Sequence, residues 1–367
     1  MRVLMISKAC IVGIYQRKLE AIARRGVDLL VLVPPSWKDE RGEIPLERAY
    51  TQGYRLEVTP IVMNGNFHLH FYRGVGRWMR DFQPDIVHID EEPYNLSCWQ
   101  GLAQARRVGA KSLFFSWQNI DRRYPPPFSW GESWVLRHAD HAIAGTESAA
   151  QVWRDKGYRG GISVIAQFGV DETLFQPVAV PAERPFTIGA VARLVPEKGL
   201  DVLLRAAAQL QGDWRVRLVG GGPERESLEQ VAHALGIADR VEFVGQVASA
   251  HMPALYPTFD VLVVPSLTRP NWKEQFGPRA TVEAMACAVP VIGSDSGAIP
   301  DVIGEAGMIV PEGEPAALAG ALARLQADRA LRVSLGQQGR DRALSHYTHD
   351  QIAAATVETY QRIMAGG

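Results

Sequence analysis

Residues 265–301 hold acidic side chains in the kind of segment that binds phosphorylated ligands. Glu274 stands just before residues 276–278, Phe-Gly-Pro, and Glu283 lies in the helix that is predicted to follow. Proline suits the first turn of a helix, because its missing N–H would be unpaired there anyway. Backbone N–H groups at a helix start bind phosphate, and carboxylates accept hydrogen bonds from hydroxyls. The segment therefore indicates a ligand that carries both phosphates and sugar hydroxyls.

A cationic segment lies upstream, at residues 192–199 (ARLVPEKG). Arg193 and Lys198 bracket a turn that follows a predicted strand and opens a predicted helix. Two cations beside a helix N-terminus favour a diphosphate, although an ordinary loop with two surface cations has the same sequence pattern. The three glycines of residues 220–222 follow the next predicted strand and allow the backbone to approach a ligand closely.

Three carboxylates, Asp90, Glu91 and Glu92, follow the predicted strand at residues 85–89. Burying them without partners would be expensive. We therefore expect them in a polar cleft or at the surface, and we favour a cleft at the carboxyl end of the strand, where open α/β sheets place their ligands. Gly13, after the first predicted strand, would let the backbone approach a phosphate, or it serves only a turn.

Strands and helices alternate twice along the chain, and a proline-containing segment without periodicity separates the two series. Such alternation predicts doubly wound parallel sheets. The predicted fold class is α/β, with two Rossmann-like domains facing a central cleft. The predicted division is residues 1–168, a linker at 169–185, a second domain at 186–345, and a terminal segment at 346–367.

Composition restricts the class of protein. The 367 residues are 47% hydrophobic and 22% charged, as in ordinary soluble globular proteins. No apolar run is long enough for a membrane span, and the N-terminus lacks a signal-peptide pattern. The cysteines, Cys10, Cys98 and Cys287, have no metal or disulfide spacing, which predicts a cytoplasmic location. No nucleic-acid-binding motif is present.

Basic residues are unevenly distributed. Residues 1–165 hold 22 Lys and Arg against 17 Asp and Glu. This excess fits an acidic partner or an anionic membrane surface, or is ordinary surface charge. Residues 122–130 (RRYPPPFSW) are predicted to form a stiff surface loop, because consecutive prolines favour an extended backbone. Contact of this loop with a lipid-linked molecule or a partner is one interpretation, and a packed loop is the other.

Four segments together resemble the retaining glycosyltransferases of glycosyltransferase family 4, which have the GT-B fold. ARLVPEKG resembles the family's diphosphate loop, and VGGGPE (residues 219–224) its glycine-rich strand end. VEFVGQV (residues 241–247) resembles its base-contacting segment, and residues 273–303 resemble its region with two glutamates. The resemblance is strongest over residues 186–311. It implies that the terminal helix crosses back onto the N-terminal domain.

The resemblance implies roles for the donor-side residues. Arg193 and Lys198 would neutralise the donor diphosphate and the charge that grows on it as the sugar leaves. Glu274 would hold the donor sugar, and Glu283 would accept hydrogen bonds from the ribose hydroxyls. The remaining donor-binding positions implied by the resemblance are Gly13, Gly221, Val244, Phe276 and Gly277.

The resemblance also implies the reaction. A hexose-type sugar would pass from a nucleotide-diphospho-sugar to a glycan or lipid-linked acceptor with retention, as in polysaccharide biosynthesis. The implied catalytic set is Asp90, Glu91, Arg193, Lys198 and Glu274. No Asp-x-Asp occurs in the sequence, which agrees with a reaction that uses neither metal nor other cofactor. The predicted location is cytoplasmic, with peripheral contact at the inner membrane face left open.

Two departures of the sequence from the family pattern matter most. Glu274 and Glu283 are nine positions apart where the family has eight, so that Gln275 competes for the first position. We favour Glu274, because the loop before Pro278 can absorb the extra residue. HIDEEP also replaces the H-x-H-E-P found in many members, which puts Asp90 in place of the second histidine.

Two other functions stay open on the sequence. The changed spacing and Asp90 are compatible with a protein that binds nucleotide-sugars but has lost or altered catalysis. A nonhydrolysing nucleotide-sugar epimerase would share the two-domain fold, although ARLVPEKG and the two glutamates argue against it.

Overall fold

The computed structural model describes residues 1–39, 42–179, 183–274 and 279–366. Contacts divide the chain into two compact units. Unit 1 comprises Met1–Gly169 and His349–Gly367, and unit 2 comprises Val170–Thr348. Of the segment predicted as a linker, residues 170–179 belong to unit 2, where Val170 and Phe175 are buried in a hydrophobic cluster.

Unit 1 is built on a seven-stranded parallel sheet with the order β11-β10-β9-β8-β1-β2-β5. Its strands and two hairpins are β1 (Arg2–Ile6), β2 (Asp28–Val33), β3 (Ser36–Asp39), β4 (Gly42–Pro45), β5 (Arg55–Val58), β6 (Ile61–Val62), β7 (Phe71–Tyr72), β8 (Ile86–Ile89), β9 (Lys111–Ser116), β10 (His141–Ala144) and β11 (Gly161–Val164). The helices are α1 (Arg17–Arg24), α2 (Val75–Phe82), α3 (Leu96–Val108), α4 (Phe128–His138) and α5 (Glu147–Asp155).

Strand β1 lies at the point where the strand order of this sheet reverses. It pairs with β2 on one side and with β8 on the other, both parallel. Its sequence, RVLMI, is almost continuously apolar because helices cover both faces of a doubly wound sheet. Ligands of such sheets bind beyond the carboxyl ends of the strands at this switch point. The residues after β1 and β8 therefore lie where a ligand of unit 1 would bind.

Unit 2 contains a six-stranded parallel sheet with the order β14-β13-β12-β15-β16-β17. Its strands are β12 (Phe186–Val191), β13 (Trp214–Val219), β14 (Val241–Gly245), β15 (Val261–Val264), β16 (Val291–Ser294) and β17 (Met308–Val310). Its helices are α6 (Leu200–Ala207), α7 (Arg225–Ala234), α8 (Met252–Leu255), α9 (Arg279–Ala286), α10 (Ile299–Ile303), α11 (Pro315–Ala327) and α12 (Arg329–His346). The strand order reverses between β12 and β15, so the loops after these two strands meet at one switch point.

The terminal helix α13 (His349–Met364) returns to unit 1 and packs against α1. The Tyr360 hydroxyl lies 2.6 Å from Nδ1 of His88 in strand β8, and both side chains are buried. The Thr359 hydroxyl donates to Ser163 in β11 at 2.9 Å. Burial lowers the pKa of His88 to about 4, which keeps its ring neutral at physiological pH. In the described part of the chain, no helix is both long and apolar enough to cross a membrane.

Candidate functional site

The three carboxylates after β8 are buried, which corrects the expectation of a polar cleft. Asp90, Glu91 and Glu92 are 3%, 2% and 8% exposed. Burial is tolerated because each carboxylate has hydrogen-bond partners from other parts of unit 1. Asp90 accepts from the Ser7 hydroxyl at 2.6 Å and from Nε2 of Gln167 at 2.9 Å.

Glu91 is the centre of a buried polar cluster. It accepts a short hydrogen bond from Nζ of Lys8 and one of 3.0 Å from the Tyr72 hydroxyl. Nε2 of His70 lies 3.4 Å from Oε1 of Glu91, the oxygen that also accepts from Tyr72. Burial alone would raise the pKa of Glu91, but the charge of Lys8 and the nearby His70 outweigh burial and lower this pKa to about 2. Glu91 is therefore an ionised carboxylate whose oxygens are engaged within unit 1.

Lys8 is a candidate site residue that the sequence interpretation missed. It follows β1, at the switch point of the sheet, and its ammonium group lies over the rings of Phe67 and Trp37, 4.8 and 5.6 Å from their centroids. The aromatic faces and Glu91 together fix the position of this cation. The sequence could have indicated Lys8 by its position, because it follows the first strand, β1, and β1 lies beside β8 in the sheet.

Glu92 differs from Glu91 in its ionisation. It accepts from the Ser116 hydroxyl at 2.6 Å and from the backbone N–H of Trp117 at 2.8 Å. Burial raises the pKa of Glu92 to about 7, although these two hydrogen bonds oppose the shift. Two adjacent glutamates thus differ in charge near pH 6, because only Glu91 has a cation in contact with it.

We predict that Glu92→Gln makes the folded chain more stable than the wild type above neutral pH. The pKa of Glu92 is about 7 in the folded chain against an ordinary 4.5, so its contribution to stability is complete below pH 4.5 and is lost as the pH rises through 7. Glutamine imitates the protonated side chain, because its carbonyl oxygen can accept from the Trp117 N–H while its NH2 group donates to the Ser116 hydroxyl in place of accepting from it. Above pH 7, the free energy of unfolding of the variant should exceed that of the wild type by on the order of 2–3 kcal/mol, as measured by urea denaturation. Glu226→Gln, at an exposed position, is the control, and equal pH profiles for wild type and Glu92→Gln would contradict the prediction.

Gly13 occupies a closely packed position in unit 1. Its backbone N–H donates to Oε2 of Glu47 at 2.7 Å. A Cβ added to Gly13 would lie 2.8 Å from Cβ of Ala49 and 2.9 Å from the Glu47 carboxylate. The position accepts no larger residue without a shift, and an internal carboxylate already uses its N–H. Donor contact by Gly13 stays a prediction.

In unit 2, Lys198 and Glu274 lie together although 76 residues separate them in the chain. Nζ of Lys198 donates to Oε2 of Glu274 at 2.6 Å, and the Ser266 hydroxyl donates to the same oxygen at 2.9 Å. The Lys198 ammonium also lies 4.7 Å from the ring centroid of Trp272. Lys198 comes from the loop after β12 and the other residues from the loop after β15, which are the two loops of the switch point.

The glycine-rich strand end packs directly on the ARLVPEKG loop. The backbone N–H of Leu194 donates to the Gly221 carbonyl at 2.9 Å. A Cβ on Gly220 would lie 1.9 Å from the Ala192 carbonyl oxygen, and one on Gly222 would lie 2.3 Å from that of Leu194. The glycines are therefore needed for this close approach of two loops. The side chain of Arg193, in the same loop, is exposed.

Glu283 forms a separate group on helix α9. It accepts from the Tyr256 hydroxyl at 2.7 Å and pairs with Nε of Arg279 at 2.9 Å. Burial raises the pKa of Glu283, and the charge of Arg279 opposes this shift. Val244 is part of β14 and is half-buried. The predictions for Gln275, Phe276 and Gly277 concern residues outside those that the structure describes.

Among residues 1–39, 42–179, 183–274 and 279–366, no group of three or more His, Cys, Asp or Glu side chains is arranged to bind a metal ion. The three cysteines are free and buried, and burial raises the pKa of Cys10 to about 11 and that of Cys287 to about 12. Their thiols are therefore protonated at neutral pH.

The fold defines the class of protein. Sucrose-phosphate synthase from Thermosynechococcus elongatus matches with a TM-score of 0.74 at 23% identity, over 100% of both chains. Anabaena HepE, solved in complex with UDP, matches with a TM-score of 0.75 at 18% identity, over 99% of this chain and 100% of HepE. Together with the two Rossmann-like units, these matches confirm the predicted GT-B fold class.

Sequence comparison gives the family. The model described as "Glycosyl transferase 4-like domain" matches residues 14–166, and the model described as "Glycosyl transferases group 1" matches residues 171–342. The chain belongs to the glycosyltransferases of the family 4 type, as the sequence motifs indicated.

Two curated relatives are similar over part of their length. The GDP-mannose-dependent alpha-(1-6)-phosphatidylinositol monomannoside mannosyltransferase of Mycobacterium tuberculosis is 35% identical over 47% of this chain and 46% of the relative. The D-inositol 3-phosphate glycosyltransferase of Salinispora arenicola is 30% identical over 67% of this chain and 60% of the relative. The chain thus spans about half the length of the curated relatives it matches.

Proposed function

We propose that this chain transfers a hexose-type sugar from a nucleotide-diphospho-sugar to a glycan or lipid-linked acceptor, with retention and without a metal ion. The observation that carries the proposal is the meeting of Lys198 and Glu274 at the switch point of the unit 2 sheet. A cation and a carboxylate from two loops match the two parts of such a donor, its diphosphate and its sugar hydroxyls.

The donor diphosphate would be bound by the ARLVPEKG loop. Lys198 and Arg193 supply positive charge, and the loop is held by the glycines that pack beneath it. Such charge stabilises the diphosphate more as the sugar leaves, because negative charge then develops on the leaving oxygen. A divalent ion performs this task in other phosphate-transferring sites, and here the two cations would replace it.

The sugar and the ribose would be bound by the two glutamates. The Ser266 hydroxyl donates a hydrogen bond to Glu274. This bond would keep the Glu274 carboxylate in place after Lys198 moved from it to the diphosphate. Glu283 would accept hydrogen bonds from the ribose hydroxyls after exchanging the contacts that it makes with Arg279 and Tyr256. Asp90 stays a predicted catalytic residue, and its carboxylate would have to exchange the hydrogen bonds from Ser7 and Gln167 before it could steady positive charge on a sugar.

Thermal unfolding in the presence of nucleotides tests this function. UDP, GDP, ADP and their sugar conjugates are added separately, with and without EDTA, because a ligand of the folded chain raises its melting temperature. We expect one nucleotide family to shift the melting temperature, EDTA to leave the shift unchanged, and Lys198→Ala to abolish it. Arg205→Ala, an exposed cation on helix α6, is the matched control and should keep the shift.

Two outcomes would count against the proposal. The absence of a shift with every nucleotide would make the loop at Lys198 ordinary surface. A normal shift without any sugar transfer to glycan or lipid-linked acceptors would favour the alternative of a nucleotide-sugar-binding protein. The anomeric configuration of the product, measured by NMR, tests retention separately.

A further inference from the structure

Trp272 is an aromatic residue at the switch point of unit 2 to which the proposed function gives no role. It lies in the loop after β15 and is half-buried, and the Lys198 ammonium lies 4.7 Å from its ring centroid. The same ammonium donates to Oε2 of Glu274 at 2.6 Å. The ring and the carboxylate therefore border one space, which the Lys198 ammonium occupies.

A tight turn of the backbone holds Trp272 in place. Arg269 and Trp272 pair as an antiparallel bridge. The Arg269 N–H donates to the Trp272 carbonyl at 2.8 Å, and the Trp272 N–H donates to the Arg269 carbonyl at 3.1 Å. Pro270 lies inside the turn, and its ring fixes one backbone dihedral angle. The backbone position of Trp272 is therefore set by main-chain hydrogen bonds and does not depend on its contact with Lys198.

The start of the same loop is attached to two neighbouring loops. The Leu267 N–H donates to the Glu197 carbonyl at 2.8 Å, in the loop that carries Lys198. The Thr268 hydroxyl lies 3.0 Å from that of Ser296, in the loop after β16. Because these contacts do not involve the indole ring, replacing the ring should leave the loop in place.

The space between the ring and the carboxylate suits a sugar once Lys198 has turned to the donor diphosphate. Carbon-bound hydrogens on one face of a pyranose pack on an aromatic face, whose electrostatic potential is negative, while hydroxyls of the sugar donate to a carboxylate. The diphosphate does not suit this space, because the negative face of the Trp272 ring and the charge of Glu274 both repel an anion. The chemistry of the two side chains thus favours the sugar end of the donor.

We propose that Trp272 is a specificity-determining residue that stacks on the donor sugar in place of the Lys198 ammonium. This inference rests on the proposed function and adds the class of sugar, a pyranose with one apolar face. The ring and Glu274 would bind the nucleotide-sugar through a part that the nucleoside diphosphate lacks.

Exchange of the sugar for the ammonium has a consequence for the order of binding and release. While the sugar occupies the space, Lys198 stays with the diphosphate. After the sugar has been transferred, the Lys198 ammonium returns to the ring and to Glu274, the two partners that it has in this structure. Its return removes positive charge from the nucleoside diphosphate, which favours release of that product.

Isothermal titration of the full chain with matched pairs of nucleotides tests the proposal. The pairs are UDP with UDP-glucose, GDP with GDP-mannose and ADP with ADP-glucose. The quantity compared is the ratio of the affinity for the nucleotide-sugar to the affinity for the nucleoside diphosphate of the same pair. Trp272→Leu keeps apolar bulk but removes the aromatic face, and the ratio should fall about tenfold. Trp272→Phe keeps an aromatic face and should retain the ratio to within about threefold.

The two affinities should also change in different directions. Trp272→Leu should weaken the binding of the nucleotide-sugar. Binding of the nucleoside diphosphate should stay the same or tighten by up to about threefold, because Lys198 no longer has to leave the ring. A loss of loop structure would instead weaken both, and circular dichroism checks the fold of each variant.

Trp130→Leu is the matched control, because it makes the same substitution at a side chain of unit 1 that is 68% exposed, and it should leave the ratio unchanged. An unchanged ratio in Trp272→Leu would overturn the proposal. Equal weakening of both affinities would also overturn it, since that result is expected if the ring stacks on the nucleobase or only supports the loop. In both cases the wild type still binds nucleotide and the proposed function stands, whereas a wild type that binds none of the pairs would contradict the proposed function as well.

Discussion

Glu274→Gln is expected to lower the rate of sugar transfer while it tightens the binding of the sugar-free nucleoside diphosphate. Transfer should fall by on the order of 10²-fold, because the amide loses the charge that orients the donor sugar. Affinity for the nucleoside diphosphate should rise about three- to tenfold, since Lys198 no longer has to leave a carboxylate 2.6 Å away. Single-turnover transfer and isothermal titration measure the two effects.

The opposite directions of these effects make the prediction specific. Glu197→Gln removes a negative charge from the same loop without touching the pair, and it should change neither quantity by more than about twofold. Weaker binding of the nucleoside diphosphate to Glu274→Gln would show that the pair is structural. If Glu274→Ala keeps full transfer and Gln275→Ala loses it, the assignment of Glu274 to the first position of the motif is wrong.

Gly199→Ala is expected to destabilise unit 2 by about 4 kcal/mol or more and to impair nucleotide binding. Gly199 has φ +60°, and an added Cβ would lie 2.0 Å from the Pro265 carbonyl oxygen. The strain of a left-handed residue and the clash with backbone act together, because the backbone of the loop after β15 cannot rotate away. The free energy of unfolding from urea denaturation and the nucleotide-induced melting shift give the two readouts.

Gly212→Ala isolates the clash from the backbone strain. Gly212 has φ +78°, but the nearest atom to an added Cβ is Nε2 of Gln326 at 3.5 Å. Its substitution should therefore cost only about 1 kcal/mol and leave nucleotide binding intact. Equal losses of stability in the two variants would mean that the contact between the loops after β12 and β15 does not constrain Lys198.

The sequence predicted the donor-side loops better than the carboxylate cluster. ARLVPEKG and the glycines at residues 220–222 were assigned to one site, and the structure packs these two loops on each other. Local sequence patterns are enough to predict these loops, because the positions of glycines and the spacing from strand to helix restrict how a loop can turn. Asp90, Glu91 and Glu92 do have partners, as burial requires, but the prediction that they lie in an open cleft was wrong, because the sequence does not show which residues become those partners.

Those partners are spread through the chain. Glu91 is held by Lys8 and by His70 and Tyr72, and Glu92 by Ser116 and the N–H of Trp117, none of which shares a motif with the carboxylates. The hairpin of β3 and β4 was not predicted either. Pairing of this kind depends on which strands become neighbours, and short segments do not encode that.

The sequence by itself determined the two series of strands and helices, because periodicity is a local property, and its loop motifs carried the resemblance that gave the GT-B class and the family. The tertiary structure alone decided the charge state of the buried groups. Glu91 and Glu92 are adjacent and chemically identical, yet the pKa of one is about 2 and that of the other about 7. The physical reason is that ionisation in a buried site depends on the few charges and hydrogen-bond donors within contact distance, and folding brings these from distant parts of the chain.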